Sequence, residues 1–288
     1  MCASWMARVP VRIHTFTGQV WATKTGVKKT IFKLIDKVTA KMSTKVLVDS
    51  NSQREFLLDC GVVSSDKSLV LAEGSLSGVD TNRFFPDADR RDKIRATLRT
   101  SKNTFVLLFV GRLKKEKGIY ELVEAFCEAK QSCTNLELWL VGPDEESMTE
   151  SMIAIDGIKL KGFTGVPEHY MCAADVLCLP SYREGFGSVV IEAAACGIPT
   201  IGSNIYGLTD AIVDGGTGVL VPPKDKTSLT KSIVSLYNDR ENVRKMGQSA
   251  LLRANSMFSQ HRITKEIIQL YENLIEPTIQ NSLGNSEQ

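Results

Sequence analysis

Glu184 and Glu192 stand with seven residues between them, in the stretch Ser181-Tyr-Arg-Glu-Gly-Phe-Gly-Ser-Val-Val-Ile-Glu-Ala-Ala-Ala-Cys-Gly197. Carboxylates accept hydrogen bonds, and the neighbouring hydroxyls of a sugar or a ribose donate them. Between the two acids, Gly185 and Gly187 allow a tight turn whose backbone can approach a ligand. Ser188 then opens a helix that Gly197-Ile-Pro199 stops. A helix start offers free N–H groups and partial positive charge to an anion. The combination suits a ligand of the sugar–diphosphate–ribose kind, with phosphates on amides and cations and hydroxyls on the two glutamates. The same features would also fit an ordinary loop with solvated glutamates, so a second half of the site is needed.

That half is Phe109-Val-Gly-Arg-Leu-Lys-Lys-Glu-Lys-Gly-Ile119. A strand runs out into Gly111 and Arg112, and Lys117 precedes an amphipathic helix. The stretch lacks the G-x-x-x-x-G-K-[ST] spacing of a Walker loop. From a strand end, Arg112 can grip a diphosphate as a fork and Lys117 as a point charge. Two cations and a helix start could neutralise a leaving diphosphate without a metal. No DxD pair lies near these loops and the three histidines are scattered, so no metal site is expected.

The elements that must carry these loops follow from apolar patterning. Strands are predicted over 105–110, 136–141, 158–160, 176–179, 199–201 and 218–221. Helices are predicted over 118–130, 167–173, 188–196, 208–213, 226–238, 241–257 and 261–275. Strands alternating with helices imply an α/β fold, a doubly wound parallel sheet that binds ligands at its carboxyl edge. Upstream, strands are predicted over 11–16, 45–48 and 69–72 and helices over 27–40 and 50–59. The charged stretch 87–99 reads as an exposed connection or helix. The expected division is a partial amino-terminal lobe over 1–85, a nucleotide-sugar-binding Rossmann-like domain over 86–265, and a carboxy-terminal helix with a disordered tail over 266–288.

At 288 residues, with 43% hydrophobic and 24% charged residues, the chain can bury a substantial core. A net charge of +2 gives no argument for nucleic acid. The charge is uneven, however: residues 1–50 hold nine Lys/Arg against Asp36 and Asp49. The 27–41 segment sets Val27, Ile31, Leu34, Ile35 and Val38 beside Lys28, Lys29, Lys33, Lys37 and Lys41. It reads either as a surface helix covering a sheet or as a peripheral membrane contact. Seven cysteines without a C-x-x-C suggest reduced thiols. With neither a leader nor an apolar run of about eighteen residues expected, the predicted setting is cytoplasmic, with a peripheral place at the inner face of the membrane as the alternative.

Several motifs in order, Gly111-Arg112…Lys117-Gly118, Leu140-Val-Gly142, Ala174-Asp175-Val176…Pro180-Ser181 and Glu184-Gly-Phe-Gly187…Glu192-Ala193…Gly197-Ile-Pro199, resemble the nucleotide-sugar half of retaining GT-B glycosyltransferases of the glycosyl transferase group 1 family. The resemblance spans roughly residues 45–275. It implies a GT-B fold and transfer of a sugar, without a metal or other cofactor, from a nucleoside-diphosphate donor, UDP-linked, to a glycan or a lipid-linked saccharide. It implies catalytic roles for Arg112, Lys117 and Glu184. It implies donor contacts at Gly111, Gly162, Phe163, Gly185, Phe186, Gly187, Ser188 and Glu192, with Gly162 and Phe163 bordering the base and Glu192 taking the ribose. On the acceptor side His14 and Thr17 both stand near the expected strand, and the choice between them stays open. Family members carry a longer amino-terminal lobe with a first glycine loop, which is expected to be incomplete here. The competing expectation is therefore a nucleotide-sugar-binding subunit or an inactive fragment that needs a partner. A nucleotide-sugar epimerase is a weaker third reading.

Overall fold

The computed structural model describes residues 1–284, with side chains to residue 276. A three-stranded parallel sheet is built from β1 (Ile13–Phe16), β2 (Lys45–Val48) and β3 (Ser68–Val70), in that spatial order. A six-stranded sheet follows: β4 (Phe105–Val110), β5 (Leu136–Val141), β6 (Ile158–Lys161), β7 (Val176–Leu179), β8 (Thr200–Ser203) and β9 (Gly218–Val221). Its order is β6-β5-β4-β7-β8-β9, and every neighbouring pair is parallel. Both sheets are α/β, as the alternation of strands and helices predicts.

The central strands β4 and β7 are apolar along their whole length because helices cover both faces, whereas β5 carries Glu137 and the edge strand β6 carries Lys159 and Lys161. Phe105 to Phe109 have no solvent exposure at all. The helix Ile119–Lys130 turns Ile119, Leu122, Val123, Ala125, Phe126 and Ala129 onto the sheet, the three-and-four spacing of an apolar stripe. Lys226–Asn238 packs beside it, and Arg240–Met257 lies against Ser188–Ala195. The smaller sheet has its own core of Phe16, Trp21, Ala40, Val46, Val48, Leu57 and Val62.

The strand order fixes where a ligand can bind. From β4 the chain moves outward through β5 to β6, then returns to lay β7 on the other side of β4. The crossover direction reverses between β4 and β7, and such a switch point leaves a crevice at the carboxyl ends of the strands. The loops after β4 and β7 are the two that carry the candidate chemistry.

The connection 87–99 takes the helical of its two expected forms and is largely exposed, with Arg95 its one buried residue. It forms the helix Ala88–Thr97, with the Asp87 side chain accepting the Arg90 amide at its start. Arg95 is only 3% exposed, because Asp175 at the foot of β7 accepts from it at 2.9 Å and from Arg91 at 2.8 Å. Asp175 also accepts the Val106 amide at 2.8 Å, so one carboxylate ties the connecting helix to two central strands. The final helix runs Gln260–Gly284, beyond the 261–275 expected; the remainder of the expected tail lies outside the described residues.

The two sheets meet through the start of helix Asn51–Asp59. Ser50 Oγ donates to the Gly185 carbonyl at 3.0 Å, and the Asn51 and Ser52 amides donate to Asp210. The Gly207 amide donates to Ser52 Oγ at 2.8 Å. Gly185 allows this approach: a Cβ there would lie 1.7 Å from the Thr17 carbonyl oxygen.

Candidate functional site

β4 ends at Val110, and the Gly111 amide, still in register, donates to the Val141 carbonyl at 2.9 Å. Arg112 follows, and a single 3-10 turn over Lys115–Lys117 brings Lys117 back over the switch point. There its Nζ meets Glu184 Oε1 at 2.6 Å, an ion pair whose side chains are 18% and 14% exposed. Pairs so short and so shielded hold their geometry better than solvated ones. Two more contacts bind the loops together: the Tyr182 amide donates to the Glu116 carbonyl at 2.9 Å, and Arg183 reaches both Glu116 carboxylate oxygens at 3.3 Å.

The β7 loop enters helix Ser188–Ala195 through Gly187, whose φ of +82° lies in the left-handed region that glycine tolerates without penalty. That turn aims the first amides of the helix into the same crevice. The resulting cavity, about 250 Å³, is lined on one side by Arg112, Glu116 and Lys117 and on the other by Arg183 through Ser188. Thr17, Gly18 and Asp49 of the smaller lobe close it from above. Arg112 is 53% exposed and only loosely paired, at 3.7 Å, with Glu145, which Lys114 holds at 2.5 Å. Its guanidinium is therefore available to an anion in the crevice.

Of the residues picked from sequence, Arg112, Lys117, Glu184, Gly185, Phe186, Gly187 and Ser188 line this one cavity together with Thr17. Gly111 is the strand end on which Arg112 is mounted. His14 lines a neighbouring cleft of about 220 Å³ with Trp21, Phe32 and Asp36, which shares Thr17 and Gly18 with the crevice. There its ring packs edge-on against Phe16 at 4.6 Å, and burial lowers its pKa. Of the pair left open in the sequence, Thr17 lines both clefts and His14 only the second.

Glu192 lies deeper, on the first turns of its helix. Burial pushes its carboxyl up to about 7; Arg83 opposes this and Glu168 adds to it. Arg83 binds Glu168 through Nε at 3.0 Å and Nη2 at 2.8 Å, and also donates to the Gly165 carbonyl at 2.7 Å. Glu192 therefore shares its surroundings with the loop that follows β6. Gly162 and Phe163 open that loop; Phe163 is 79% exposed, and neither residue lines the cavity.

Asp49, Arg183, Glu116, Arg83 and Glu168 were not singled out by the sequence. Asp49 carried a signal, since it directly follows strand 45–48 and so stands at a carboxyl edge. Burial raises its pKa, and the Leu76 amide donating to it partly offsets that. Among the described residues, no group of three His, Cys, Asp or Glu gathers as a metal site.

Residues 90–253 match the profile of the family described as glycosyl transferases group 1. The capsular polysaccharide biosynthesis glycosyltransferase CapM of Staphylococcus aureus is 28% identical over 281 residues, covering 95% of this chain and 73% of that protein. A D-inositol 3-phosphate glycosyltransferase from Arthrobacter sp. is 30% identical over 213 residues, 70% of this chain and 50% of the relative. The chain thus spans between half and about three-quarters of these relatives. Among solved structures, sucrose-phosphate synthase from Thermosynechococcus elongatus superposes with a TM-score of 0.81 at 26% identity, over 96% of this chain and 71% of that one. Anabaena HepE, solved in complex with UDP-glucose, gives a TM-score of 0.81 at 20% identity over 94% and 74% of the two chains, a likeness of fold.

Proposed function

The chain belongs to the glycosyl transferases group 1 family and has its GT-B fold, and from that premise we propose that it transfers a sugar, with retention of configuration, from a UDP-linked donor to a glycan or a lipid-linked saccharide. The observation that carries this reading is the single crevice in which Arg112, Lys117 and the start of helix Ser188–Ala195 face one another. The diphosphate lies against Arg112, Lys117 and the amides of Gly187 and Ser188. Glu184 takes hydroxyls of the donor sugar, held in place by the Lys117 ammonium, which has protons for both partners. Glu192 takes the ribose hydroxyls, and the base extends toward Gly162 and Phe163. As the bond from the sugar's anomeric carbon to phosphate breaks, negative charge grows on the leaving diphosphate, and the two cations are already in place to meet it. An acceptor hydroxyl attacks from the face the diphosphate leaves and gives up its proton to the departing phosphate oxygen.

The acceptor side is supported by a second cavity, about 730 Å³, that shares Glu116 with the donor crevice. Ala22, Thr23 and Lys24 of the smaller lobe face Lys115, Tyr182 and Lys224 across it.

Calorimetric titration with UDP tests the reading, because the titration of Glu192 gives it a pH signature. Ribose hydroxyls donate to the ionised carboxylate, so binding favours the charged form and strengthens as pH rises through about 7. The expected change is about tenfold between pH 6 and 8, one pH unit on either side of that value. Glu192→Gln removes this dependence and leaves only the ligand's own phosphate ionisation. Absence of UDP binding, or a pH profile the same in both proteins, contradicts the assignment. A nucleotide-sugar-binding subunit would give the same titration, and release of UDP from UDP-glucose in the presence of acceptor separates the two.

A further inference from the structure

The helix Gly26–Met42 faces the wrong way for a helix that covers a sheet. At about 100° per residue, Val27, Ile31, Leu34, Ile35 and Val38 fall within one arc of roughly 100°. Asp36 and Ala40 fall on the opposite side, and these are the positions that face the protein. Ala40 is buried, and Asp36 Oδ2 accepts the Trp21 Nε1 proton at 2.7 Å. The apolar arc is thereby turned to solvent, with Val27 75%, Leu34 58%, Ile35 53% and Ile31 52% exposed. Lys28 borders the arc on one side and Lys37 and Lys41 on the other. The short helix Cys2–Met6 packs against this helix and adds Trp5 and Met6, 52% and 75% exposed.

We propose that this face docks on a lipid bilayer bearing anionic headgroups, lying in the interface with its apolar arc down and its flanking lysines on the headgroups. Charge selects this occupant. Within 24–42 there are six lysines and a single acid, Asp36, whose carboxylate is engaged inward by Trp21. The outward rim is therefore cationic throughout. A second copy meeting this face across a two-fold axis would set its lysines against these lysines, which is unfavourable. An anionic bilayer meets both the apolar arc and the rim. Trp5 is of the type that settles at a membrane–water boundary. Contact is peripheral: among the described residues, no helix is long and apolar enough to cross a membrane. The proposal does not depend on sugar transfer, although it would hold the lobe next to a lipid-linked acceptor.

Sedimentation with phosphatidylcholine vesicles, alone and mixed with phosphatidylglycerol, tests it on the whole chain. Binding to the mixed vesicles is expected, with little binding to phosphatidylcholine alone and a loss as salt rises. Each of Lys28→Gln, Lys37→Gln and Lys41→Gln should weaken partition about fivefold. The triple variant Ile31→Gln, Leu34→Gln, Val38→Gln should abolish binding with at most a small fall in the unfolding midpoint, since these side chains are 52%, 58% and 39% exposed. The proposal is overturned if mixed vesicles do not sediment the protein, or if both sets of variants bind as the parent does. It is also overturned if light scattering shows a dimer that the triple variant dissolves, which would make a second copy the occupant.

Discussion

Replacing Lys117 by alanine is expected to lower turnover by at least about a hundredfold, the usual consequence of removing one preorganised charge from a developing anion. The substitution acts twice. It takes away the cation that meets the leaving diphosphate, and it strands Glu184, whose side chain is 14% exposed and has its 2.6 Å partner in Lys117. Glu184 then loses the partner that fixes its carboxylate, which spoils its hold on the sugar hydroxyls. Glu184→Gln should consequently lose turnover as well, and the double variant should lose less than the sum of the two, because the residues act as a unit. Arg112→Ala should show a smaller loss that falls more on donor KM than on kcat, since that exposed side chain must swing in to bind. Steady-state rates with UDP-glucose and acceptor supply the check. Wild-type turnover in the Lys117 and Glu184 variants would be incompatible with the proposed roles.

The second large effect concerns stability. Asp175→Ala is expected to destabilise the fold by about 3–5 kcal/mol, the loss typical of a buried ion pair deprived of one partner. Arg95 is 3% exposed, and burial already lowers its pKa; without Asp175 its charge keeps only carbonyl partners at Ala173, Ser101 and Thr104. The Val106 amide loses its acceptor at the same time. Asp175 belongs to the Ala174-Asp175-Val176 motif, yet it stands at the opposite end of β7 from the crevice, so its role is to fix the connecting helix on the sheet. Urea unfolding of the variant measures the loss, and a midpoint equal to the parent's would show that Arg95 finds other compensation.

The larger sheet was legible because 105–110 is an unbroken apolar run and 136–141 is apolar but for Glu137, as expected of parallel strands covered on both faces. The two loops that line the crevice were legible because glycines, cations and carboxylates cluster within a few residues after such runs. Pairings across long separations were not. Lys117 and Glu184 are 67 residues apart, and Arg83 and Glu168 are 85 apart; no local pattern reports that they touch. Arg95 looked like one more charge in an exposed segment, because its burial is decided by Asp175, 80 residues on. Periodicity gave the apolar arc of helix Gly26–Met42 but not its direction, since period alone states which residues share a face and not what that face meets. His14 and Thr17 could not be told apart for a related reason: they lie close in sequence, and only the seat of the smaller lobe against Gly185 puts Thr17 over the crevice.

The most direct measurement is the position of UDP in a crystal of the complex. The account predicts the diphosphate within hydrogen-bond reach of Lys117 Nζ and the amides of Gly187 and Ser188, with the ribose hydroxyls turned toward Glu192. UDP bound away from the gap between β4 and β7, or bound there with its phosphates out of reach of Lys117, would contradict it.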